Sequence, residues 1–330
     1  MRVLLGVDVG GSAISAGLVT EDGEVLATAE SPTHVDGPGS AVPTLGHLVD
    51  DLRRRAESRG LTPTAVGVGL PGIVDADNGV MVSSMNFVPE LVHVPLTERL
   101  GAATGLPVFV DNDVNAHALG AWMFGAARGT RSLALLAVGT GVGGGVILDG
   151  KLLRGARGCA GEIGHITIDR AGPRCVCGGQ GCLCTFVGGR AIAGEARRRA
   201  AAEPAGALLA LAGGDAGAIT ARLVFAAAAQ GDRVAGEVVD QALDALATGL
   251  GTILNVLDPE MIIVTGGVAG SLVRFEAELR RRTARFALSQ ALDGARIVVV
   301  PASKQETVRG GAALARYERA RCRAGAAVMP

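Results

Sequence analysis

The sequence contains few aromatic residues, few lysines and almost no net charge. Aromatic residues make up 3% of the 330 residues, and only Lys151 and Lys304 among the 31 basic residues are lysine. So few aromatic side chains argue against a surface that stacks nucleic-acid bases or sugar rings. A formal net charge of −1 argues against nucleic acid or an anionic membrane as the main partner. We attribute the scarcity of lysine, with the excess of alanine, to GC-rich coding.

The sequence also lacks a convincing membrane span and a secretory signal. Residues 132–148 form a notable uncharged stretch, but they number 17 and include five glycines. A spanning helix needs about 20 mostly apolar residues. Asp8 places an acid in the middle of any apolar region near the start. We therefore expect a cytoplasmic protein.

Two common nucleotide-binding signatures are missing. No Gly-x-x-x-x-Gly-Lys-Ser/Thr segment is present, which excludes a P-loop enzyme, and the protein-kinase signature set is absent. Residues 139–143 could pass for a dinucleotide-binding turn, with Glu162 about 20 residues on. That turn must open a helix, whereas a strand and a hairpin are predicted to follow here.

A pattern of strand, glycine turn, strand, hairpin and strand occurs twice. Its first copy covers residues 3–29 and contains Gly10-Gly11-Ser12; its second covers residues 133–153 and contains Gly139-Thr140-Gly141. A repeat at about 128 residues is too long for a solenoid unit and favours two similar domains. Apolar spacing predicts helices over residues 40–59, 114–124, 234–257 and 309–323. Strands that alternate with helices imply an α/β fold with parallel elements.

Two acidic residues follow or end predicted strands. Asp8 precedes the first glycine turn, whose N–H groups could cradle a phosphate beside a carboxylate that binds Mg²⁺. An ordinary hairpin turn is the alternative. Asp113 begins a predicted helix, where the helix dipole favours its ionised form and a general base is a reasonable role. A plain N-cap is the alternative there.

A cluster of cysteines follows a histidine. His165 stands ten residues before Cys175, and Cys177 and Cys182 follow in a glycine-rich segment. One histidine and three cysteines at this spacing favour tetrahedral zinc. Reduced structural cysteines or a redox pair are the alternatives. Four protein ligands leave no open position, so we expect a structural site and not a zinc hydrolase.

In order along the chain, these motifs resemble the ROK family, specifically its bacterial glucokinase-like sugar kinases. The motifs are Asp8-x-Gly10-Gly11, Asn112-Asp113-x-Asn115, Gly139-Thr140-Gly141, Gly161-Glu162-x-Gly164-His165, the Cys-x-Cys-x4-Cys segment and Gly266-Gly267. The resemblance covers nearly the whole chain. It implies the actin/hexokinase/Hsp70-type α/β fold, with two ribonuclease-H-like domains around a central cleft. We predict an N-terminal domain of residues 1–115 plus 308–330, and a larger domain of residues 116–307 with a zinc segment at 165–184.

The resemblance also implies roles for individual residues. ATP would lie with Mg²⁺ in the cleft, and Asp113 would be the general base that activates a primary hydroxyl of a hexose. The implied ATP ligands are Asp8, Gly10, Gly11, Ser12, Thr140, Gly141, Gly266 and Gly267. The implied sugar-binding residues are Asn86, Asn112, Asp113, Glu162, His165 and Cys184, and the implied zinc ligands are His165, Cys175, Cys177 and Cys182. A homodimer or homotetramer is implied as well.

The sequence departs from the family pattern at Cys184, where the family usually has a glutamate that binds the sugar. Losing a hydrogen bond to a charged group costs roughly 1.5–3 kcal/mol. The departure keeps open an alternative, a ROK kinase of secondary metabolism that acts on a C7 cyclitol or on an amino sugar such as kanosamine. A non-catalytic sensor should lack the Asp113 base, which is present. A ROK repressor would need a DNA-binding domain before Asp8, and none is expected.

Overall fold

The computed structural model describes residues 1–84, 87–201 and 206–326, and the chain divides into two compact units. The first unit contains residues 1–130, 145–160 and the chain from 303 onward. The second contains residues 131–144 and 161–302. The domain boundaries predicted after residues 115 and 307 stay a prediction, since a compact unit is not the same as an independently folding domain. The first unit also includes residues 116–130 and 145–160.

Residues 1–130 of the first unit contain seven strands over their described part: β1 (Arg2–Val9), β2 (Ala13–Thr20), β3 (Val25–Pro32), β4 (Thr62–Leu70), β5 (Ile73–Asp75), β6 (Val80–Ser83) and β7 (Val108–Asn112). Five of them form a sheet with the strand order β3-β2-β1-β4-β7. Strand β1 pairs antiparallel with β2 and parallel with β4, and β4 pairs parallel with β7. A separate pair, β5 and β6, is antiparallel. The helices between them are α1 (Ala41–Ser58), α2 (Leu96–Thr104) and α3 (Asp113–Met123).

A second five-stranded sheet repeats this order as β10-β9-β8-β11-β12. Its strands are β8 (Leu133–Val138), β9 (Val142–Leu148), β10 (Lys151–Leu152), β11 (Met261–Thr265) and β12 (Arg296–Val299). In both sheets three consecutive strands lie side by side, and two strands from later in the chain complete the sheet. The internal repeat predicted from the glycine turns is thereby confirmed.

The second half of the chain is mostly helical, as the apolar spacing predicts. Its helices are α4 (Cys184–Val187), α5 (Gly189–Ala200), α6 (Ala207–Leu211), α7 (Ala221–Ala229), α8 (Arg233–Leu257), α9 (Ala269–Leu272), α10 (Glu276–Thr283), α11 (Ser289–Gly294) and α12 (Lys304–Ala326). Short 3-10 helices cover 89–91, 163–165, 216–218 and 273–275. Over the described parts of the chain, no helix has both the length and the apolar character needed to cross a bilayer.

Helix α12 begins five residues earlier than the sequence predicts. The spacing of apolar residues predicts a start at Arg309, whereas the helix starts at Lys304. The Ser303 hydroxyl accepts the N–H of Glu306 at 3.2 Å, and this bond supplies a cap for the earlier start.

Glycines allow helix α12 to lie directly against the backbone of the first sheet. A Cβ atom at Gly67 in β4 would lie 2.0 Å from the Gly311 carbonyl oxygen, and one at Gly6 in β1 would lie 1.8 Å from the Val308 carbonyl oxygen. Contacts this short exclude any side chain at either strand position. The sheet and the helix therefore meet backbone to backbone, beside a small core cluster that includes Leu4, Val19, Ala65, Ala312 and Ala315.

We expect Gly67→Ala to lower the free energy of unfolding by about 1–3 kcal/mol or more, because overpacking against fixed backbone forces a shift of α12. Urea unfolding measures the change. Gly46→Ala is the matched control, since a Cβ atom at Gly46 in α1 meets nothing within 4 Å. The control should be neutral or stabilised by about 0.5–1 kcal/mol. Equal stability of the two variants would contradict the proposed close contact.

Candidate active site and metal centre

Asp8 stands near the end of β1 and precedes the first glycine turn. Within the turn, the Gly10 N–H donates to the Ala13 carbonyl at 2.9 Å. Thr33, which is fully buried, braces the turn: its hydroxyl donates to the Gly10 carbonyl at 2.6 Å, and its N–H donates to the Ser12 carbonyl at 3.0 Å. These bonds use carbonyl oxygens of the turn and fix its conformation. No sequence motif pointed to Thr33.

The carboxyl group of Asp8 has an altered acidity. Solvent reaches part of the residue, yet burial raises the pKa of Asp8 from 3.8 to about 6. Burial raises the pKa because a carboxylate loses hydration when protein surrounds it. A cation bound beside Asp8 would oppose this effect by favouring the ionised form.

Because burial raises the pKa of Asp8, the ionised carboxylate destabilises the folded protein at pH values above that pKa. Because the folded pKa exceeds the unfolded one, stability from this group is lost as pH rises from about 4 to about 6. We expect Asp8→Asn to stabilise the ligand-free protein at pH 8, by up to about 3 kcal/mol, and not at pH 4. Thermal unfolding at both pH values tests this, with the exposed Asp22→Asn as control. A variant no more stable than wild type at pH 8 would contradict it.

Asn112, and not Asp113, caps helix α3. The Asn112 side-chain oxygen accepts the N–H groups of Val114 at 2.9 Å and Asn115 at 3.1 Å, while its amide nitrogen donates to the Gly72 carbonyl at 3.1 Å. The alternative that Asp113 is a plain N-cap is therefore wrong. The Asp113 carboxylate also accepts the Val114 N–H, at 2.9 Å.

Glycine at position 69 makes room for Asp113. Gly69 in β4 pairs with Asp8 on one side and with Asp111 on the other, so the three positions lie at one level of the sheet. A Cβ atom at Gly69 would lie 3.0 Å from the Asp113 Cα atom. The start of α3 thus rests directly on the end of the sheet that also carries Asp8.

A buried charge network braces this junction. Asp111, 2% exposed, accepts the Asn112 N–H at 2.7 Å and the Arg154 Nε–H at 2.7 Å. Arg154 also donates to Glu318 of α12 at 2.5 Å. Burial raises the pKa of Asp111, and the Arg154 charge opposes that shift. Arg154 therefore joins strand β7, the loop after β10 and helix α12 within the first unit.

Removing Arg154 should leave the buried Asp111 carboxylate without its cation, while Glu318 keeps its ion pair with Arg321 at 2.6 Å. We expect Arg154→Met to lower the free energy of unfolding by about 3–5 kcal/mol, the usual cost of breaking a buried ion pair. Chemical denaturation measures the loss. Arg198→Met is the matched control, because Arg198 pairs with Glu195 on the surface with 70% of its side chain exposed. The control should change stability by less than about 1 kcal/mol; similar losses in both variants would refute the role of the network.

The second glycine turn lies between β8 and β9, and the first residues of α5 donate hydrogen bonds to it. The N–H groups of Gly189 and Arg190 donate to the carbonyls of Gly139 at 2.8 Å and Thr140 at 3.2 Å. A Cβ atom at Gly139 or Gly141 would meet nothing within 4 Å, so packing does not demand glycine at either position. The open space beside both glycines suits the close approach of a ligand to the backbone.

Gly266 and Gly267 adjoin the same end of β8. Gly266 has φ +100°, and a Cβ atom there would lie 2.5 Å from the Val138 carbonyl oxygen. Gly267 is open on its side-chain side. The structure therefore brings together Gly139–Gly141 and Gly266–Gly267 at one end of this strand, as expected for two parts of one ligand site.

The histidine and three cysteines predicted from the sequence come together as one cluster. The ligand atoms of His165, Cys175, Cys177 and Cys182 all lie within 4.8 Å of one another. Two turns close the segment, with the Cys175 N–H donating to the Gly179 carbonyl at 2.9 Å. None of these cysteines is in a disulfide. One imidazole nitrogen and three thiol sulfurs form a donor set that fits tetrahedral zinc.

The thiols of this cluster differ in acidity. Although burial opposes ionisation, hydrogen bonds from Cys177, Cys184 and His165 lower the pKa of Cys175 to about 6. Burial and the neighbouring thiols raise the pKa of Cys182 to about 12. His165 directs Nδ1 at Cys175, 3.5 Å from its sulfur, and Nε2 toward Glu162, 3.9 Å from its carboxylate. In zinc sites the second histidine nitrogen usually donates to a carboxylate. At 3.9 Å, Glu162 lies near His165 but is not hydrogen-bonded to it.

The predicted site residues are divided between the two units. The first unit contains Asp8, the turn at 10–12, Asn112 and Asp113. The second unit contains Thr140, Gly141, Glu162, His165, the cysteines at 175, 177, 182 and 184, and the pair 266–267. Asn86 lies outside the described residues. Arg154 and Glu318 were missed because residues 164 positions apart carry no local sequence signal. The roles of all these residues stay predictions.

Comparison with known proteins decides the family. The ROK family model matches residues 4–318. The chain belongs to the ROK family. A glucokinase from Thermotoga maritima is 35% identical to this ROK protein over 316 residues, which cover 94% of this chain and 96% of that protein.

Another relative is named for a different sugar. An N-acetylmannosamine kinase from Escherichia coli O157:H7 is 32% identical over 291 residues, covering 86% of this chain and 90% of that protein. The crystal structure of a ROK glucokinase from Streptomyces griseus, in complex with glucose and AMPPNP, matches with a TM-score of 0.78 and 33% identity. That match covers 96% of this chain and 99% of the other. The predicted family and the actin/hexokinase/Hsp70-type α/β fold are confirmed.

Proposed function

We propose that this ROK protein is an ATP-dependent kinase that phosphorylates a primary hydroxyl of a hexose, the 6-hydroxyl in glucose. The observation that carries the proposal is Asp113 in the first turn of α3, with Asn112 supplying the cap. Relatives named glucokinase, which are 35%, 34% and 38% identical to this chain, support it.

Asp113 is the proposed general base. Its place in the first helical turn favours the carboxylate form through the helix dipole. The carboxylate accepts the proton of the sugar hydroxyl as the oxygen attacks the γ-phosphoryl group in line. Gly69 sets the height of Asp113 above the sheet, and the Arg154 network fixes the strand that precedes it.

The two glycine turns are the proposed phosphate-binding elements. Backbone N–H groups of Gly10–Ser12 and of Gly139–Gly141, with Thr140, would offset charge on the phosphoryl oxygens of ATP. Asp8 is the carboxylate best placed beside the first turn to hold Mg²⁺, which neutralises phosphate charge when bound. Gly266 and Gly267 would adjoin the adenosine.

His165, Cys175, Cys177 and Cys182 would hold a structural zinc ion, which closes its loop and supplies no reacting group. The cluster fixes His165, and His165 in turn faces Glu162. Both residues, with Asn112, are the proposed ligands of the sugar hydroxyls. Asn86, proposed as a further ligand, falls outside the described residues.

Cys184 favours a second candidate substrate class. Its sulfur lies 3.5 Å from the Cys175 sulfur, so it is turned toward the thiols of the cluster. A thiol is a weak hydrogen-bonding group compared with the carboxylate usual at this position in the family. A substrate without the usual anomeric hydroxyl, such as a C7 cyclitol, or an amino sugar such as kanosamine would suffer less from this change.

The test is ADP release from ATP and Mg²⁺ over glucose, mannose, N-acetylhexosamines, kanosamine and C7 cyclitols. We expect turnover with at least one of them and a loss of at least about 10²–10⁴-fold in Asp113→Ala, since a positioned base contributes that much. The exposed Asp22→Ala is the control and should keep wild-type turnover.

The outcomes separate the candidates. Strong turnover of glucose would identify a glucokinase in which Cys184 is tolerated. Turnover of only a cyclitol or kanosamine would support the second candidate. Turnover that survives Asp113→Ala would refute the role of Asp113 as the general base. No ADP release with any substrate of the panel would refute the proposed kinase activity.

A further inference from the structure

Glu318 of helix α12 is a buried carboxylate to which the proposed reaction gives no role. Its side chain is 5% exposed. One of its oxygens accepts from Arg154 at 2.5 Å, and the other accepts from Arg321 at 2.6 Å. A charged group is costly to bury unless it is paired and hydrogen-bonded, and here each oxygen has its own arginine. Glu318 therefore fixes Arg154 from the side of α12.

Asp111, on the other side of Arg154, also has both carboxylate oxygens hydrogen-bonded. One accepts the Arg154 Nε–H at 2.7 Å. The other accepts the Asn112 N–H at 2.7 Å and the side-chain amide of Asn115 at 3.0 Å. Asn115 is 3% exposed and lies in the first turn of α3. The network therefore reaches the residues immediately before and two positions after Asp113.

Two further segments of the first unit contact this junction. The Asn112 side-chain amide donates to the Gly72 carbonyl at 3.1 Å, one residue before β5 begins. In the loop that follows Arg154, a Cβ atom at Gly158 would lie 2.4 Å from the Val74 carbonyl oxygen of β5. The start of α3 contacts the start of β5, and β5 contacts the loop that carries Arg154.

Stability alone does not require charged groups at this junction. Apolar residues of similar volume often replace a buried ion pair with no loss of stability, or with a gain. A guanidinium presents its donors in a rigid, planar fork, so an arginine bound to two carboxylates fixes their relative positions. What the ionic network supplies beyond apolar packing is a defined geometry at the start of α3.

We propose that Glu318 is a positioning residue for the sugar site: it fixes Arg154, and Arg154 through Asp111 fixes Asn112 and Asp113. Asn112 is a proposed sugar ligand and Asp113 the proposed base, so the inference rests on the proposed function. Glu318 itself touches no substrate. It acts from α12, about 200 positions along the chain from the residues that it places.

The two proposed phosphate-binding turns have their own supports. Thr33 braces the turn at 10–12, and the N–H groups of Gly189 and Arg190 donate to the turn at 139–141. Loss of Glu318 should therefore change how the enzyme uses the sugar and not how it uses ATP. A smaller fraction of folded enzyme, by contrast, would lower kcat and leave both KM values unchanged.

Steady-state kinetics of the full-length Glu318→Gln protein, with the sugar that wild type phosphorylates best, tests this split. A neutral amide has one oxygen for two arginines, and its NH₂ group faces the donors of the other. We expect kcat/KM for the sugar to fall about 10–100-fold, with a raised KM for the sugar and an unchanged KM for ATP. Glu57→Gln is the matched control, because Glu57 pairs with Arg53 on the surface of α1 with 52% of its side chain exposed.

Hydrogen exchange of the ligand-free protein tests the same placement without turnover. In Glu318→Gln the backbone amides of residues 112–116 and 154–160 should exchange at least about 10-fold faster than in wild type, since local opening there loses its restraint. The amides of α1, residues 41–58, should keep their wild-type rates and so exclude a global loss of stability.

An unchanged KM for the sugar, or wild-type exchange at both segments, overturns the proposal. Arg321→Met is the milder second variant, since it removes only the half-exposed partner of Glu318, and it should raise the sugar KM by less. If Glu318→Gln does not fold, an unchanged sugar KM in Arg321→Met overturns the proposal instead. A wild type that phosphorylates no sugar refutes the proposed kinase, and the exchange rates then decide whether Glu318 places the start of α3.

Discussion

The backbone contact between helix α12 and the first sheet is the constraint on which the first unit depends. Gly6 and Gly67 let the helix approach two neighbouring strands at distances that no side chain permits. The same helix carries Glu318, which holds Arg154 and through it Asp111. The position of α12 therefore sets both the packing of the sheet and the polar network under the start of α3. A shift of α12 would therefore displace Asp113 in two ways, through the packing of the sheet and through the network of Glu318, Arg154 and Asp111.

Glycines in the second unit serve two different purposes. Gly266 is demanded by packing, because its φ is positive and the end of β8 lies against it. Gly139 and Gly141 are demanded by nothing in the fold, since open space adjoins both. Glycine at these two open positions is best explained by a ligand that must come close to the backbone. The two sheets share one strand order, and each places a glycine turn after its first strand.

Much of the fold could be predicted from the sequence because it depends on local signals. The glycine turns at 10–12 and 139–141 marked the repeat, and the apolar spacing of residues 234–257 predicted α8 within one residue. The cysteine spacing likewise predicted a cluster that the structure assembles. Long-range partners could not be predicted in this way. Nothing near Arg154 in the sequence points to Glu318, and nothing near Gly10 points to Thr33.

The neighbouring residues at 112 and 113 show where sequence reasoning stops. Both asparagine and aspartate are good caps, so the sequence alone could not say which one caps α3. The structure gives the cap to Asn112 because its amide also reaches the Gly72 carbonyl, 40 positions away. A similar limit applies to Cys184, whose neighbours in space include a histidine 19 positions earlier.

The discontinuity of the first unit has a consequence for synthesis on the ribosome. Residues 131–144 and 161–302 are translated before the helix that completes the first unit. At about 5–20 residues per second, roughly 9–35 s separate residue 130 from residue 303. During that interval Leu4, Val19 and Ala65 lack the alanines of α12 that cover them. The first unit therefore begins to be translated before the second but is completed after it, and the apolar residues of its sheet stay uncovered until α12 has been made.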